Sequence, residues 1–223
     1  MTVEVWSDYA CPFCYIGEKR LERALAEVGE KISVAFKSFE LDPAAPKVVT
    51  SSTTERFAAK YGLTLADAAE RIEQISRMGR AEGIDFRYAE TKYTNTFDAL
   101  RLTKFAQAHG HDEIVTKFFD AYFTRNLELS DHAVLKKISA ECDLDANEVD
   151  EILRGDRYAE DVRADEMQAA YMGINAVPYF VVGRHGLSGA QPFEVLKRAI
   201  TDALTEDVGG MACGVDGCNF EGR

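Results

Sequence analysis

The sequence has no apolar run that approaches the length of a membrane-spanning helix, and it has no excess of positive charge. Its 26 lysines and arginines face 38 acidic residues, which gives a formal net charge of −12 at pH 7. This balance argues against a surface that binds nucleic acids or anionic membranes, so we expect neither partner. The N-terminus shows no basic head, apolar stretch or cleavage site of a signal peptide, and we therefore expect a cytoplasmic protein.

Histidine and cysteine are scarce. The four histidines, which show no ligand-like spacing, are His109, His111, His132 and His185. We therefore predict no metal and no cofactor. The five cysteines form two close pairs and one singleton, namely Cys11 with Cys14, Cys213 with Cys218, and Cys142 alone. In a reducing compartment this pattern indicates catalysis or metal binding more than a disulfide scaffold, and Cys142 is interpreted as a small buried apolar residue.

The first cysteine pair lies where a predicted strand meets a predicted helix. The segment 2–6 is rich in β-branched and aromatic residues, and 18–25 has helix-forming residues with helical apolar spacing. Cys11 therefore faces unpaired N–H groups and the positive end of the helix dipole, which favour a thiolate. Cys14 lies one turn inside, and Pro12 suits the first helical position because it has no N–H.

Magnitudes favour redox chemistry for this pair over a structural cross-link. A disulfide that closes so short a loop contributes only about 2 kcal/mol. A thiol pKa lowered from about 8.5 to about 6.5 raises the thiolate fraction at neutral pH from roughly 3% to roughly 75%. That shift requires about 2.7 kcal/mol, of which the helix dipole supplies about 0.3–2 kcal/mol, so hydrogen bonds to sulfur must add the rest. The alternatives are half of a zinc site or two inert buried thiols.

Strand signals lie at the two ends of the chain and helix signals lie between them. An alternating strand is predicted at 32–41, and prolines end it. Strand signals return at 176–183, with a short return strand at 187–190 and a last helix from 191. Between them, one helix is predicted to begin after a capping box at Thr64. Five further helices are predicted at about 96–108, 113–125, 131–142, 146–154 and 157–172.

Three stretches together resemble the DsbA family of thioredoxin-fold oxidoreductases. They are the segment 8–17 around the Cys-Pro-Phe-Cys motif, the long helical insert, and the segment 173–180 that contains Val177 and Pro178. The first of these, the run 187–192 and the terminal pair at 213–218 are similar to the FrnE-like cytoplasmic branch. The resemblance implies an α/β thioredoxin-like fold with an inserted all-helical subdomain.

This resemblance also implies a domain organisation. The thioredoxin-like domain would comprise residues 1–42 and 174–205, and the helical subdomain would comprise 43–173. A glycine-rich tail at 206–223 would carry the second cysteine pair.

The same resemblance implies roles for individual residues. Cys11 would attack substrate disulfides and Cys14 would resolve the mixed disulfide. Pro12 and Phe13 would influence the redox potential. The Val177–Pro178 peptide bond would be cis and would lie against the two cysteines, where its backbone can pair with an extended peptide. The implied partners are protein disulfides and a thiol reductant or reductase.

One departure from the thioredoxin pattern concerns a buried acid. These proteins often carry a carboxylate on the strand before the motif, at a position occupied here by Val5, and strand alternation turns Glu4 to the opposite face. Without that carboxylate, water or Asp8 would accept the proton of Cys14. Lys37 and Glu40 are further candidates for tuning the site, although a solvated strand face explains them as well.

The terminal pair, Cys213 and Cys218, lies among four glycines. We hypothesise that it exchanges electrons with Cys11 and Cys14 or receives them from outside. The alternatives are a zinc site, completed by the first pair, and a tail with incidental thiols.

Two other functions remain open at this point. The glutathione-dependent 2-hydroxychromene-2-carboxylate isomerases and kappa-class transferases form a related branch, but they place a serine where Cys11 stands. A non-catalytic adaptor that binds a client protein is the other possibility.

Overall fold

The fold combines one four-stranded sheet with helices, and the computed structural model describes it over residues 1–30 and 32–209. The strands are β1 (Thr2–Ser7), β2 (Ser33–Ser38), β3 (Tyr179–Val182) and β4 (His185–Ser188). The helices are α1 (Pro12–Val28), α2 (Thr53–Tyr61), α3 (Leu65–Ala81), α4 (Phe97–Ala108), α5 (Ile114–Phe123), α6 (His132–Ala140), α7 (Ala146–Arg154), α8 (Ala159–Tyr171) and α9 (Phe193–Gly209). A 3₁₀ turn covers Tyr88–Glu90.

The strand order is β2-β1-β3-β4, with β1 inside the sheet. β1 runs parallel to β2 and antiparallel to β3, and β4 pairs antiparallel with β3. Val5 is opposite Phe36 on one side and Phe180 on the other. Because β1 is paired on both sides, its C-terminal end, which leads into the cysteine motif, is held by the sheet.

The residues of β1 divide between two hydrophobic clusters. Val3 and Val5 are buried with Leu21 of α1 and Ile200 of α9. Trp6 belongs to a larger cluster built mainly from the helices between β2 and β3. Its indole Nε1 donates to the backbone oxygen of Asp165 in α8 at 3.0 Å. The inserted helices are therefore joined to the sheet by both apolar packing and a buried hydrogen bond.

Two local predictions are corrected by the structure. The return strand spans His185–Ser188 and not 187–190, because the chain already turns at Gly183, where φ is +59°. Glycine tolerates this left-handed conformation at low cost. The second correction concerns the capping box predicted at Thr64. The reciprocal box is at the start of α2, where the Ser52 side chain accepts from the N–H of Glu55 and the Glu55 side chain accepts from the N–H of Ser52. Thr64 does cap α3, since its side chain accepts from the N–H of Asp67 at 3.1 Å.

Candidate functional site

The Cys-Pro-Phe-Cys motif forms the first turn of α1. Cys11 is the N-cap residue, with an extended backbone, and Pro12 occupies the first helical position. The N–H of Cys11 donates to the backbone oxygen of Asp8 at 3.0 Å, and the N–H of Cys14 donates to that of Cys11 at 3.1 Å. The Cys11 side chain makes no capping hydrogen bond. The sulfur therefore lies at a helix N-terminus, where unpaired N–H groups and the helix dipole stabilise negative charge.

Cys11 lies at the floor of a cleft. Only 4% of the residue is exposed, yet it lines a cavity of about 610 Å³, which we call the Cys11 cleft. Its Sγ contacts the backbone oxygen of Val177 at 3.5 Å, as a weak thiol donor. Cys11 thus borders the cleft although most of the residue is buried.

Cys14 has a different environment. It is 2% exposed and shares the buried cluster between α1 and the inserted helices with Cys11, but unlike Cys11 it does not line the cleft. Burial, with a further contribution from neighbouring Cys11, raises the pKa of the Cys14 thiol well above its usual value. Hydrogen bonds from the Ser7 hydroxyl and the Asp8 backbone act in the opposite direction. No disulfide joins Cys11 and Cys14 in the described structure.

The segment that precedes β3 closes the site from the other side. The Val177–Pro178 peptide bond is cis, as the resemblance implied. The helix α1 passes close to it at Gly17, where a Cβ atom would lie 3.0 Å from Phe180 Cζ and 3.2 Å from Pro178 Cγ. Glycine permits this close approach. The Pro178 carbonyl accepts from Gly189 N at 2.8 Å.

Asp8 lies beneath the motif and is 2% exposed. Its carboxylate accepts from Ala10 N at 3.1 Å, from Leu41 N at 2.7 Å and from Thr96 Oγ1 at 2.8 Å. Burial raises the pKa of Asp8, and these hydrogen bonds partly counter that effect. The residue therefore joins the motif to the loop after β2 and to the start of α4, which is a structural role that the sequence did not predict.

Lys37 and Glu40, which were candidates for tuning the site, form ion pairs with other residues. Lys37 Nζ lies 3.5 Å from Glu4 and 3.3 Å from Asp165 of α8. Glu40 forms an ion pair with Arg163, also in α8. These contacts attach α8 to the sheet and to the loop that follows β2.

The walls of the Cys11 cleft come from segments far apart in the sequence. Its aromatic and apolar residues include Phe13, Leu41, Phe57, Tyr61 and Tyr88. Its cations are Arg56 and Lys60 on α2 and Arg71 on α3. Sequence reasoning did not assign these cations to the site, because nothing local shows that α2 and α3 fold over Cys11. The one local signal is the spacing of Arg56 and Lys60, which places both on one face of a helix.

The remaining sequence predictions concern metal, membrane and the other cysteines. Within residues 1–30 and 32–209, no cluster of three or more histidine, cysteine or acidic side chains is arranged to hold a metal ion. None of the described helices is long and apolar enough to span a bilayer. Cys142 is 2% exposed, and burial raises the pKa of its thiol to about 11. Cys213 and Cys218 lie outside the described residues.

Comparison with known proteins agrees with this geometry. A family model described as a DSBA-like thioredoxin domain matches residues 2–201. The solved structure of a probable DsbA oxidoreductase from Streptomyces coelicolor is 36% identical, with a TM-score of 0.86 and full coverage of both chains. The cytosolic disulfide reductase DsbM of Pseudomonas aeruginosa is 16% identical, with a TM-score of 0.62 over 92% of this chain and 100% of that chain.

A 2-hydroxychromene-2-carboxylate isomerase also has a similar fold. It is 14% identical, with a TM-score of 0.67 over 95% of this chain and 100% of that chain. These similarities confirm the predicted α/β thioredoxin-like architecture.

Proposed function

Because this chain belongs to the DsbA-like thioredoxin domain family, we propose that it is a thiol–disulfide oxidoreductase with Cys11 as nucleophile and Cys14 as resolving thiol. One observation carries the proposal: two free thiols occupy one helical turn, the first at the floor of a cleft and the second in the core. Thiol–disulfide exchange requires such an accessible sulfur with a second thiol close by.

In the first step of the proposed mechanism, the Cys11 thiolate attacks one sulfur of a substrate disulfide. A bond forms between Cys11 and that sulfur, the substrate S–S bond breaks, and the other sulfur leaves as a thiolate that takes a proton. Cys14 then loses its proton and attacks Cys11. The Cys11–Cys14 disulfide forms, and the second substrate thiol is released. Two electrons pass from the enzyme to the substrate.

The second step requires removal of a proton from Cys14, whose pKa is raised by burial. The Ser7 hydroxyl and the Asp8 N–H stabilise the resulting thiolate through hydrogen bonds. The departing substrate thiolate is a sufficient proton acceptor, because it is formed next to Cys14. In this mechanism Asp8 holds the motif in position through its three hydrogen bonds.

We further propose that this chain is a FrnE-like protein of the cytoplasm and that it reduces or isomerises protein disulfides. A solved neighbour is named as a cytosolic disulfide reductase, and another structure of it contains glutathione. In a reducing compartment, a thiol reductant or a reductase would restore the dithiol after each turnover. The hypothesis that Cys213 and Cys218 relay these electrons belongs to the same proposal. A double serine variant with unchanged turnover and redox potential would exclude it.

The test compares three serine variants in the reduction of a protein disulfide such as insulin. Cys11→Ser is expected to lower the rate to that of the uncatalysed reaction. Cys14→Ser is expected to accumulate a mixed disulfide between Cys11 and the substrate, detectable by mass spectrometry. Cys142→Ser is the matched control, because it removes a buried thiol outside the site. Wild-type insulin reduction by Cys11→Ser would exclude the proposed role of Cys11, whereas no insulin reduction by the wild-type protein would favour a non-catalytic adaptor.

Isomerase chemistry is a second candidate, supported by the fold shared with the 2-hydroxychromene-2-carboxylate isomerase. The presence of both Cys11 and Cys14 favours the oxidoreductase, because isomerisation with glutathione needs no resolving thiol. Glutathione-dependent isomerisation that survives in Cys14→Ser would reverse this preference.

A further inference from the structure

The Cys11 cleft has a charge opposite to that of the chain. Its described lining contains Arg56, Lys60 and Arg71 and not one aspartate or glutamate. The whole chain, by contrast, carries a formal net charge of −12. In a cleft with low-dielectric walls, cations of one sign raise the local concentration of anions.

These three cations are not used to stabilise the fold through ion pairs. Within the described part of the chain, none of them has a carboxylate within 4.0 Å. The Arg56 guanidinium lies 4.0 Å from the centroid of the Tyr93 ring, and its buried Nε has no hydrogen-bond acceptor among the described residues. Stacking thus holds the guanidinium beside the cleft, where it also hydrogen-bonds to the Tyr88 phenol, and no carboxylate neutralises its charge in the described structure.

Other arginines of the same region behave differently. Arg77 and Arg80 of α3 both pair with Glu73, at 2.9 Å and 2.7 Å. On α3, the arginines outside the cleft lining are therefore ion-paired. Arg71 lines the cleft and has no carboxylate partner in the described structure. The chain has 38 acidic residues, yet none of them is in the described lining of the Cys11 cleft.

The cations also lie close enough to act on the nucleophile's surroundings. The phenol of Tyr88 lines the cleft, and burial raises its pKa to about 12. The charge of Arg56 lowers the pKa of this phenol and that of Cys11 raises it, so Tyr88 lies within electrostatic reach of both. A ligand whose disulfide contacts Cys11 can therefore place a nearby anionic group against Arg56.

We propose that the cationic wall formed by Arg56, Lys60 and Arg71 binds carboxylate groups next to the reacting disulfide, so that the enzyme prefers acidic disulfide substrates. This inference rests on the proposed function and deepens it. Two sources share the chemistry, namely a small acidic thiol compound such as glutathione and an acidic segment of a protein. The exposed apolar rim, which includes Phe13, Leu41 and Tyr61, would contact the uncharged part of either one.

The experiment measures second-order rate constants for reduction of three small disulfides by the dithiol form of the full chain. They are the anionic glutathione disulfide, the neutral hydroxyethyl disulfide and the cationic cystamine. Each rate constant is divided by that of dithiothreitol, which removes differences in intrinsic reactivity. A second arm uses one peptide disulfide flanked by glutamates and the same peptide flanked by glutamines.

The normalised rates are expected to fall from the anionic to the neutral to the cationic disulfide. The triple variant Arg56→Gln/Lys60→Gln/Arg71→Gln should lower the anionic rate about 10-fold and change the neutral rate less than about 2-fold, with a smaller effect at high salt. Arg77→Gln is the matched control, because it removes the same charge from α3 outside the cleft. If the triple variant unfolds, as circular dichroism would show, Lys60→Gln/Arg71→Gln replaces it, since both side chains are exposed.

Equal normalised rates for the three disulfides, or an equal loss for all of them in the triple variant, would overturn this inference and leave the proposed function intact. Absence of reduction with every substrate would overturn both. A preference for glutathione disulfide alone identifies the small-molecule source, and a preference for the glutamate-flanked peptide alone identifies the protein source.

Discussion

Two clefts that share α1 as a wall carry opposite charge. The Cys11 cleft borders the start of the helix and contains three cations. A second cavity of about 440 Å³, which we call the acidic cleft, lies between α1, β2 and α5. Its described lining contains four carboxylates and no cation, namely Glu18, Glu22, Asp112 and Glu113. The difference shows that a net charge of −12 is unevenly distributed and does not describe the surface at which chemistry is proposed.

The position of the thiols fits this division. A thiolate is stabilised at the helix N-terminus and near cations, and it is destabilised near carboxylates or in an apolar core. Both cysteines belong to the buried cluster, but only Cys11 is the N-cap residue of α1 and lines the cationic cleft. No described cysteine lines the acidic cleft, although Glu113 of that cleft contributes to the raised pKa of the Cys142 thiol.

The largest expected effect concerns thiol reactivity in the three settings. At neutral pH, iodoacetamide should modify Cys11 at least about 100-fold faster than Cys14, because a thiol must be both ionised and accessible to react. Moving the thiol to the acidic cleft, with Val115→Cys in a Cys11→Ser/Cys14→Ser background, should give a rate as slow as that of Cys14. Mass spectrometry of each modified peptide measures the rates. In urea the cysteines should react alike, and equal rates in the native proteins would contradict the comparison.

The next effect concerns the packing that builds the Cys11 cleft. A Cβ at Gly79 of α3 would clash with Cγ of Phe86. Gly79→Ala should therefore lower the free energy of unfolding by about 1–3 kcal/mol, although alanine favours helices. Urea denaturation checks this value. The double variant Gly79→Ala/Phe86→Ala provides the control, because alanine at position 86 removes Phe86 Cγ and Cδ2, the two atoms nearest the added methyl group. Its loss should be less than the sum of the two single losses.

The parts of the molecule that follow from local chemistry could be predicted from the sequence. Strand β1, the first turn of α1 at Pro12 and the position of Cys11 all depend on adjacent residues. The Cys11 cleft could not be predicted, because Arg56 and Arg71 reach it only through the packing of α2 and α3. The hydrogen bond from Thr96 to Asp8 has the same cause, since it joins residues 88 positions apart. The bounds of β4 were missed because the turn covers only Gly183 and Arg184, so the strand begins two residues earlier than expected.

The smallest effect lies in the acidic cleft and concerns the pH dependence of stability. Burial, with repulsion from Glu22, raises the pKa of Glu18 from 4.5 to about 7. The folded state therefore holds this proton more tightly than the unfolded state, and the associated stability is fully present below pH 4.5 and is lost as the pH rises through about 7. Because Glu18 remains partly exposed, we expect a loss on the order of 1 kcal/mol between pH 5 and pH 8.

Glu18→Gln should abolish that slope and make the protein more stable than the wild type at pH 8, as measured by urea denaturation across this range. Glu27→Gln on the same helix is the matched control. The pKa of Glu27 is lowered by its hydrogen bond with Lys197, so its titration falls below pH 4.5 and should leave the slope unchanged. A wild-type slope that persists in Glu18→Gln would show that the carboxylates of the acidic cleft do not oppose one another. The difference in charge between the two clefts would then be expressed only through the cations of the Cys11 cleft.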